Sequence, residues 1–272
     1  DNKRELVGVY GKEGLITAKN QVKIHEELLN KKISQQLFGH DKETELIQVS
    51  QDNKNVTGKI FKIPYLKYFS IKFYKALKKI NRLVYNKKGA KSAFVYSNLV
   101  KVGINIFQEI LLQNGYLEYQ ENINNYQLNA NTICYYCGKT NEKHNENDEV
   151  KKTKTEKTKI DISESSSEYE KINKTISHVF FPATFISITG KSNDAGADFL
   201  SEDKKNLINN TFNTPENKEG KLIKIILGSK VMNEGISLKN IGEVHILDVY
   251  YNFGRVDQVV GRGIRYCSHY SM

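Results

Sequence analysis

With 272 residues, 39% of them hydrophobic and 26% charged, the chain has an ordinary globular composition and enough length for a sizeable core in one or two domains. Its 41 Lys and Arg against 31 Asp and Glu leave a formal charge of +10, which favours a polyanionic partner. Three cysteines exclude a disulfide framework, and no apolar run approaches the roughly 18–20 residues that span a bilayer, so a soluble intracellular protein with no membrane partner is expected.

The first sixty residues are polar and mixed. Lys19–Leu37 has the spacing of a helix with Val22, Leu28, Leu29 and Ile33 inward, and Asp41–Asn55 reads as loop. The positive charge is concentrated next. No acidic residue stands between Asp52 and Glu109, and residues 53–91 carry twelve basic ones interleaved with Phe61, Tyr65, Tyr68, Phe69, Phe73, Tyr74 and Tyr85. Such interleaving suits a nucleic-acid strand, with Lys75 and Lys79 as phosphate contacts and rings for the bases. It equally suits an amphipathic helix over Tyr65–Tyr85 whose aromatics enter the core while its lysines face water. The two readings are compatible. Lys87–Lys91 breaks the pattern as a loop.

From residue 89 the chain alternates strand and helix. Ser92–Ser97 is a buried-strand run. Val100–Asn114 follows as a helix with Val102, Ile106, Ile110 and Leu111 inward and Gly115 at its end. Tyr116–Tyr119 is a candidate for the next strand. The rhythm stops at 121–177, a polar insertion expected to be mobile in its second half. It resumes with a strand at Ala183–Gly190, a helix at Ser201–Phe212, strands at Lys221–Gly228 and Glu243–Asp248, and a final helix. Four clear strands separated mostly by helices predict an α/β fold with a parallel sheet. Ligands in such sheets sit at the carboxyl ends of the strands, where Ser97, Thr189, Gly228 and Asp248 fall.

The final helix carries Gln258-Val259-Val260-Gly261-Arg262-Gly263-Ile264-Arg265. On a helix the three-residue spacing puts Arg262 and Arg265 on one face, and guanidinium forks match phosphate geometry. Gly261 removes a side chain where a nucleotide or a neighbouring domain could approach.

Taken in order, Ala93–Ser97, Ile188-Thr189-Gly190, Gly228–Leu238 and Gln258–Arg265 resemble motif IV, a Thr-Gly strand end, motif V and motif VI of the second RecA-like domain of superfamily 2 helicases. The wording is closest to helicases and early transcription factor ATPases of large nucleocytoplasmic DNA viruses. The resemblance covers about residues 55–272. It implies a linker and basic helical segment over 1–88, leading from a first RecA-like domain absent from this sequence. It implies a C-terminal RecA-like domain over 89–272, interrupted by 121–177.

The same resemblance implies roles. Arg262 and Arg265 would reach the γ-phosphate of ATP held, with magnesium, by that first domain, and Gln258 would couple this site to nucleic acid. Glu234, Gly235 and Gly261 would lie beside the nucleotide. Ser97, Asn98, Thr189 and Gly190 would face the nucleic-acid backbone, although capping of the strand end accounts equally for Ser97 and Asn98. Ser237 stands where many relatives carry an aspartate. The implied setting is viral transcription or genome handling, in host cytoplasm or packaged in a virion, with DNA or RNA and a viral RNA polymerase as partners.

Neither a G-x-x-x-x-G-K-[ST] loop nor a D-E-x-[DH] box occurs in the 272 residues. The chain is therefore expected to be half of an ATPase, inactive alone. The alternative is a non-hydrolysing module, derived from a helicase domain, that binds nucleic acid or RNA polymerase.

One motif stands apart. Cys134-Tyr135-Tyr136-Cys137-Gly138 is a C-x-x-C as in zinc knuckles, and zinc needs four ligands. His144 and His178 are the nearest candidates to complete the set. A degenerate site is the competing reading, because no second C-x-x-C is present.

Overall fold

Five short stretches of apolar sequence become the strands of one parallel sheet. The computed structural model describes residues 48–49, 56–85, 91–144, 178–192, 198–233, 236–248 and 253–263. Within them β1 (Gln48–Val49) and β2 (Val56–Thr57) form a small antiparallel pair. Helices α1 (Ile63–Phe69) and α2 (Ile71–Tyr85) lead to β3 (Ser92–Tyr96). A π-helical turn at Val100–Asn105 runs into α3 (Ile106–Gln113), followed by β4 (Leu117–Glu118) and, across the insertion, β5 (Thr184–Ile188). Then come the two-residue strands β6 (Lys191–Ser192) and β7 (Asp198–Phe199), α4 (Glu202–Leu207), β8 (Ile225–Gly228), β9 (Ile241–Ile246) and α5 (Phe253–Gly263).

The sheet order is β4-β5-β8-β3-β9, every neighbouring pair parallel. This is an α/β, RecA-like arrangement with helices on both faces. β3 is buried along its whole length, and its period-two alternation divides the core. Ala93 and Val95 join Phe185, Ile225 and Leu227 under α2 and α3, which supply Leu77, Ile80, Val84, Phe107, Ile110 and Leu111. Phe94 and Tyr96 face the other way, with Ile186, Ile188, Ile226, Phe212, Met232, Leu238 and Val259.

Buried polar groups key the helices to the sheet. Tyr116 Oη donates to Asn81 Oδ1 at 2.8 Å, tying α2 to the entry of β4. Asn114 accepts from the Ile63 N–H at 2.9 Å and donates to Phe61 O at 2.7 Å, so the end of α3 caps the start of α1. Gly115 turns the chain with φ 88°, and a Cβ there would lie 2.1 Å from Asn131 O. The fully buried Asn217 side chain accepts from the N–H groups of Leu222 and Ile223, holding the approach to β8.

Several expectations need correction. The candidate strand at Tyr116–Tyr119 is present but confined to Leu117–Glu118, which pairs with Thr184–Phe185 at the edge and makes five strands with the four clear ones. Asp41–Asn55 is not all loop, since Gln48–Val49 pairs with Val56–Thr57. The basic helix is broken at Ser70, whose backbone is extended (φ −150°, ψ 98°) and whose Oγ accepts from the Phe73 N–H. Val102 is exposed, not inward. The π turn, in which the Ile104 N–H reaches Leu99 O, rotates the face so that Ile104 and Phe107 are buried instead. Likewise Ser201–Phe212 is α-helical only to Leu207 and then π-helical. The helix expected over Lys19–Leu37, most of the loop at Lys87–Lys91, and the mobility expected within 145–177 lie outside the described residues.

Lys224, just before β8, is fully buried with its Nζ donating to Glu219 O at 2.9 Å and lying 5.1 Å from the Tyr135 ring centroid. Burial pulls its pKa down to about 8 from 10.5, partly offset by Glu219. Between these values the unfolded chain holds a proton that the folded chain has released, so this lysine makes stability rise with pH from about 8 towards 10.5. Denaturation of wild type and Lys224→Met from about pH 7.5 to about pH 9.5 should show the wild type gaining about 2 kcal/mol relative to the variant. A pH-independent difference between the two would contradict the assignment.

Candidate functional site

The carboxyl ends of the strands form the edge where an α/β sheet takes ligands. At the end of β3 the Ser97 N–H donates to Gly228 O at 3.1 Å, joining it to the end of β8. Ser97 is buried, and its Oγ accepts from the Leu99 N–H at 3.1 Å and donates to Leu99 O at 3.0 Å. This local turn is tight: a Cβ on Gly103 would lie 1.9 Å from that hydroxyl. The Asn98 N–H donates to both carboxylate oxygens of Asp248, at 3.1 and 2.9 Å, binding the ends of β3 and β9 together. Thr189 and Gly190 follow β5 and are half-buried at the same edge. In the sequence Asp248 is legible only as a strand-end residue. Its role as a strap depends on β9 lying beside β3, which no local signal reveals.

The loop after β8 is shaped by a 3₁₀ turn at Lys230–Asn233 and by Asn213. Asn213 donates to Ser237 O at 2.9 Å and accepts from the Lys239 N–H at 2.8 Å. Glu234 and Gly235 lie outside the described residues. The helix α5 follows β9, the edge strand. Val259 is buried, at 2% exposure, and anchors the helix in the core, whereas Asp257 and Gln258 are exposed. A Cβ at Gly261 would meet nothing within 4 Å, so that face is open. Position 262 is one turn beyond Gln258 on this helix. The Arg262 side chain and the whole of Arg265 lie outside the described residues.

The basic stretch has two faces. Ala76, Leu77, Ile80 and Val84 are buried against the sheet, and Phe73 and Tyr74 pack partly into the same core. Lys72, Lys75, Lys78, Lys79 and Arg82 are exposed, as are Tyr68 and Phe69. The lysines run beside the aromatics, with Lys67 Nζ 4.7 Å from the Tyr68 ring centroid and Lys72 Nζ 5.3 Å from that of Phe73.

The third assembly is remote from that edge. Cys134 and Cys137 lie in a knuckle closed by the Ile133–Thr140 bridge, with the Cys134 N–H donating to Lys139 O and the Gly138 N–H to Cys134 O, both at 2.8 Å. A helical turn over 141–144 brings in His144, and the irregular segment leading to β5 brings in His178. The structure thus gathers Cys134, Cys137, His144 and His178, with one ligand atom of each within 4.8 Å of the others. His178 Nε2 is 3.4 Å from Cys134 Sγ and 3.2 Å from His144 Nε2. Burial pushes the Cys137 thiol above its usual value, partly offset by a backbone hydrogen bond at Lys139.

Comparison with known proteins gives the geometry a family setting. The chain is 44% identical over 275 residues to a protein of Acanthamoeba polyphaga mimivirus named as an ATP-dependent RNA helicase, covering 100% of this chain and 22% of that one. This chain is a homologue of the superfamily 2 helicases of large nucleocytoplasmic DNA viruses. Shorter matches support the same kinship. One is 45% identity over 58 residues to a helicase of Invertebrate iridescent virus 3, covering 21% of this chain and 6% of that one. Another is 42% over 85 residues to the termination factor NPH-I homologue of African swine fever virus, covering 31% and 11%. The chain therefore spans about a fifth of the mimivirus relative's length and less of the others. No family model and no solved structure matches the chain. Among the described residues no helix is long and apolar enough to cross a membrane.

Proposed function

We propose that this chain is the C-terminal, second RecA-like half of an ATP-dependent helicase or translocase that acts on nucleic acid in viral transcription or genome handling. The observation that carries the proposal is α5. It follows the edge strand β9, is anchored by Val259, exposes Gln258, and leaves open space at Gly261 directly before Arg262. In this reading a first RecA-like domain docks there with ATP and magnesium. Arg262 and Arg265 meet the γ-phosphate as charge develops on it. Glu234 and Gly235, in the loop after β8, approach the same nucleotide.

Nucleic acid is taken along the strand ends by Thr189, Gly190 and the backbone around Ser97 and Asn98. The Ser97 hydroxyl is committed to the Leu99 turn and the Asn98 N–H to Asp248, so these two residues shape the rim while others grip. The exposed lysine face of α2, including Lys75 and Lys79, adds phosphate contacts. Closing the two domains around ATP would change that grip and convert hydrolysis into movement.

Two measurements on the complete protein check these roles. Arg262→Ala should lower kcat for ATP hydrolysis by at least ~10³-fold while leaving nucleic-acid affinity nearly unchanged. Hydrolysis at the parental rate would remove Arg262 from the reaction. Replacing Lys75 and Lys79 together by alanine should reduce the slope of log affinity against log salt by about 2, one for each lost phosphate contact. An unaltered slope would return both lysines to a solvated face with no ligand.

A further inference from the structure

We infer that Cys134, Cys137, His144 and His178 bind one zinc ion, which clamps the two residues flanking segment 145–177 to the C-x-x-C knuckle beside the sheet. Zinc bound tetrahedrally by imidazole nitrogens at about 2.0–2.1 Å and thiolates at about 2.3 Å sets its ligand atoms about 3.3–3.8 Å apart. His144 Nε2 and His178 Nε2 are 3.2 Å apart, and His178 Nε2 and Cys134 Sγ are 3.4 Å apart. The four donor atoms fit within 4.8 Å of one another, close to the dimensions of such a tetrahedron.

Donor chemistry selects the metal. Two sulfurs and two imidazoles suit zinc and offer nothing to calcium or magnesium, which require oxygen. All four positions are filled by protein, so the site is structural, with no open place for substrate or water. The surroundings give the ligands fixed positions. The His144 ring stacks edge-on against Phe180 at 5.4 Å, and Tyr136 packs on His178 at 5.0 Å. Cys134 and His144 are buried.

The position in the fold shows what the ion would do. His144 and His178 are the residues that flank segment 145–177 in the sequence, and both are ligands. The knuckle is itself stitched to the sheet. The Ile133 N–H donates to Gly115 O, the Tyr135 N–H to Phe181 O and the Ala183 N–H to Ile133 O, at 3.0, 2.6 and 3.0 Å. These contacts precede β4 and β5, at the amino ends of the strands. They lie at the opposite end of the strands from Ser97 and Asp248, and at the opposite edge of the sheet from β9. One ion thus joins the two residues that flank a 33-residue segment and holds the β4–β5 edge, away from the surface assigned to nucleotide.

The test uses the whole 272-residue chain, purified without added metal and kept reduced. Elemental analysis should find about one zinc per chain, and cobalt exchanged into it should give the visible absorption of a tetrahedral thiolate site. Cys137→Ser and His178→Ala should each lower zinc affinity by at least ~10-fold. Should either variant fail to fold, wild-type protein stripped by a chelator supplies the comparison. Amide exchange should then accelerate at Ile133, Tyr135 and Ala183 while β3 and β8 keep their protection, and zinc should restore it. No zinc above trace level, even after reconstitution, would overturn the inference, as would variants that retain it fully. Zinc that leaves without altering exchange at those three amides would overturn the clamp.

Discussion

Parallel pairing of β3 with β8 on one side and β9 on the other is the constraint from which the rest follows. Once Ala93–Tyr96 aligns with Ile225–Gly228 and with Glu243–Ile246, alternate side chains are committed to opposite faces. A slip of one residue would exchange Phe94 and Tyr96 for Ala93 and Val95 against the wrong set of helices. The same register places Ser97, Gly228 and Asp248 at one level. There the Ser97 N–H meets Gly228 O and the Asn98 N–H meets the Asp248 carboxylate. The edge proposed to take ligand is therefore a product of core packing.

Much of this was legible in the sequence. Ser92–Tyr96, Thr184–Ile188 and Ile225–Gly228 are apolar runs with β-branched and aromatic residues, and each falls inside the stretch read as a strand. Non-local facts were harder to see. Tyr116–Tyr119 reads as a candidate strand, but its place at the sheet edge, paired over Leu117–Glu118 with Thr184–Phe185, has no local signal. The π turns at Val100–Asn105 and Ile208–Phe212 preserve helical composition while shifting the buried face, so spacing alone misplaced Val102. Ser70 interrupts the basic helix by bonding its hydroxyl to Phe73, a local alternative that periodicity does not weigh.

The candidate sites divide in the same way. Their members could be named from residue types: the Gly-Arg pair, the Thr-Gly strand end, the C-x-x-C. Their surroundings could not. Nothing around Asp248 announces that it accepts from Asn98, 150 residues away in sequence. The burial of Lys224 beside Tyr135, which couples the knuckle to β8, is equally invisible before the sheet is assembled. His144 and His178 are candidates in the sequence only by their nearness to Cys134 and Cys137. Their convergence depends on Pro182 bridging back to Cys134.

The proposed function rests on one claim: that this domain contributes to ATP hydrolysis only when a second domain presents the nucleotide to α5. The most direct measurement is steady-state ATP hydrolysis in the presence of nucleic acid, first by this chain alone and then by the same chain joined to a segment carrying a phosphate-binding loop. The account predicts no turnover above buffer for the chain alone and nucleic-acid-stimulated turnover for the joined protein. Hydrolysis by the isolated chain, or a joined protein that binds nucleic acid yet never hydrolyses ATP, would contradict it.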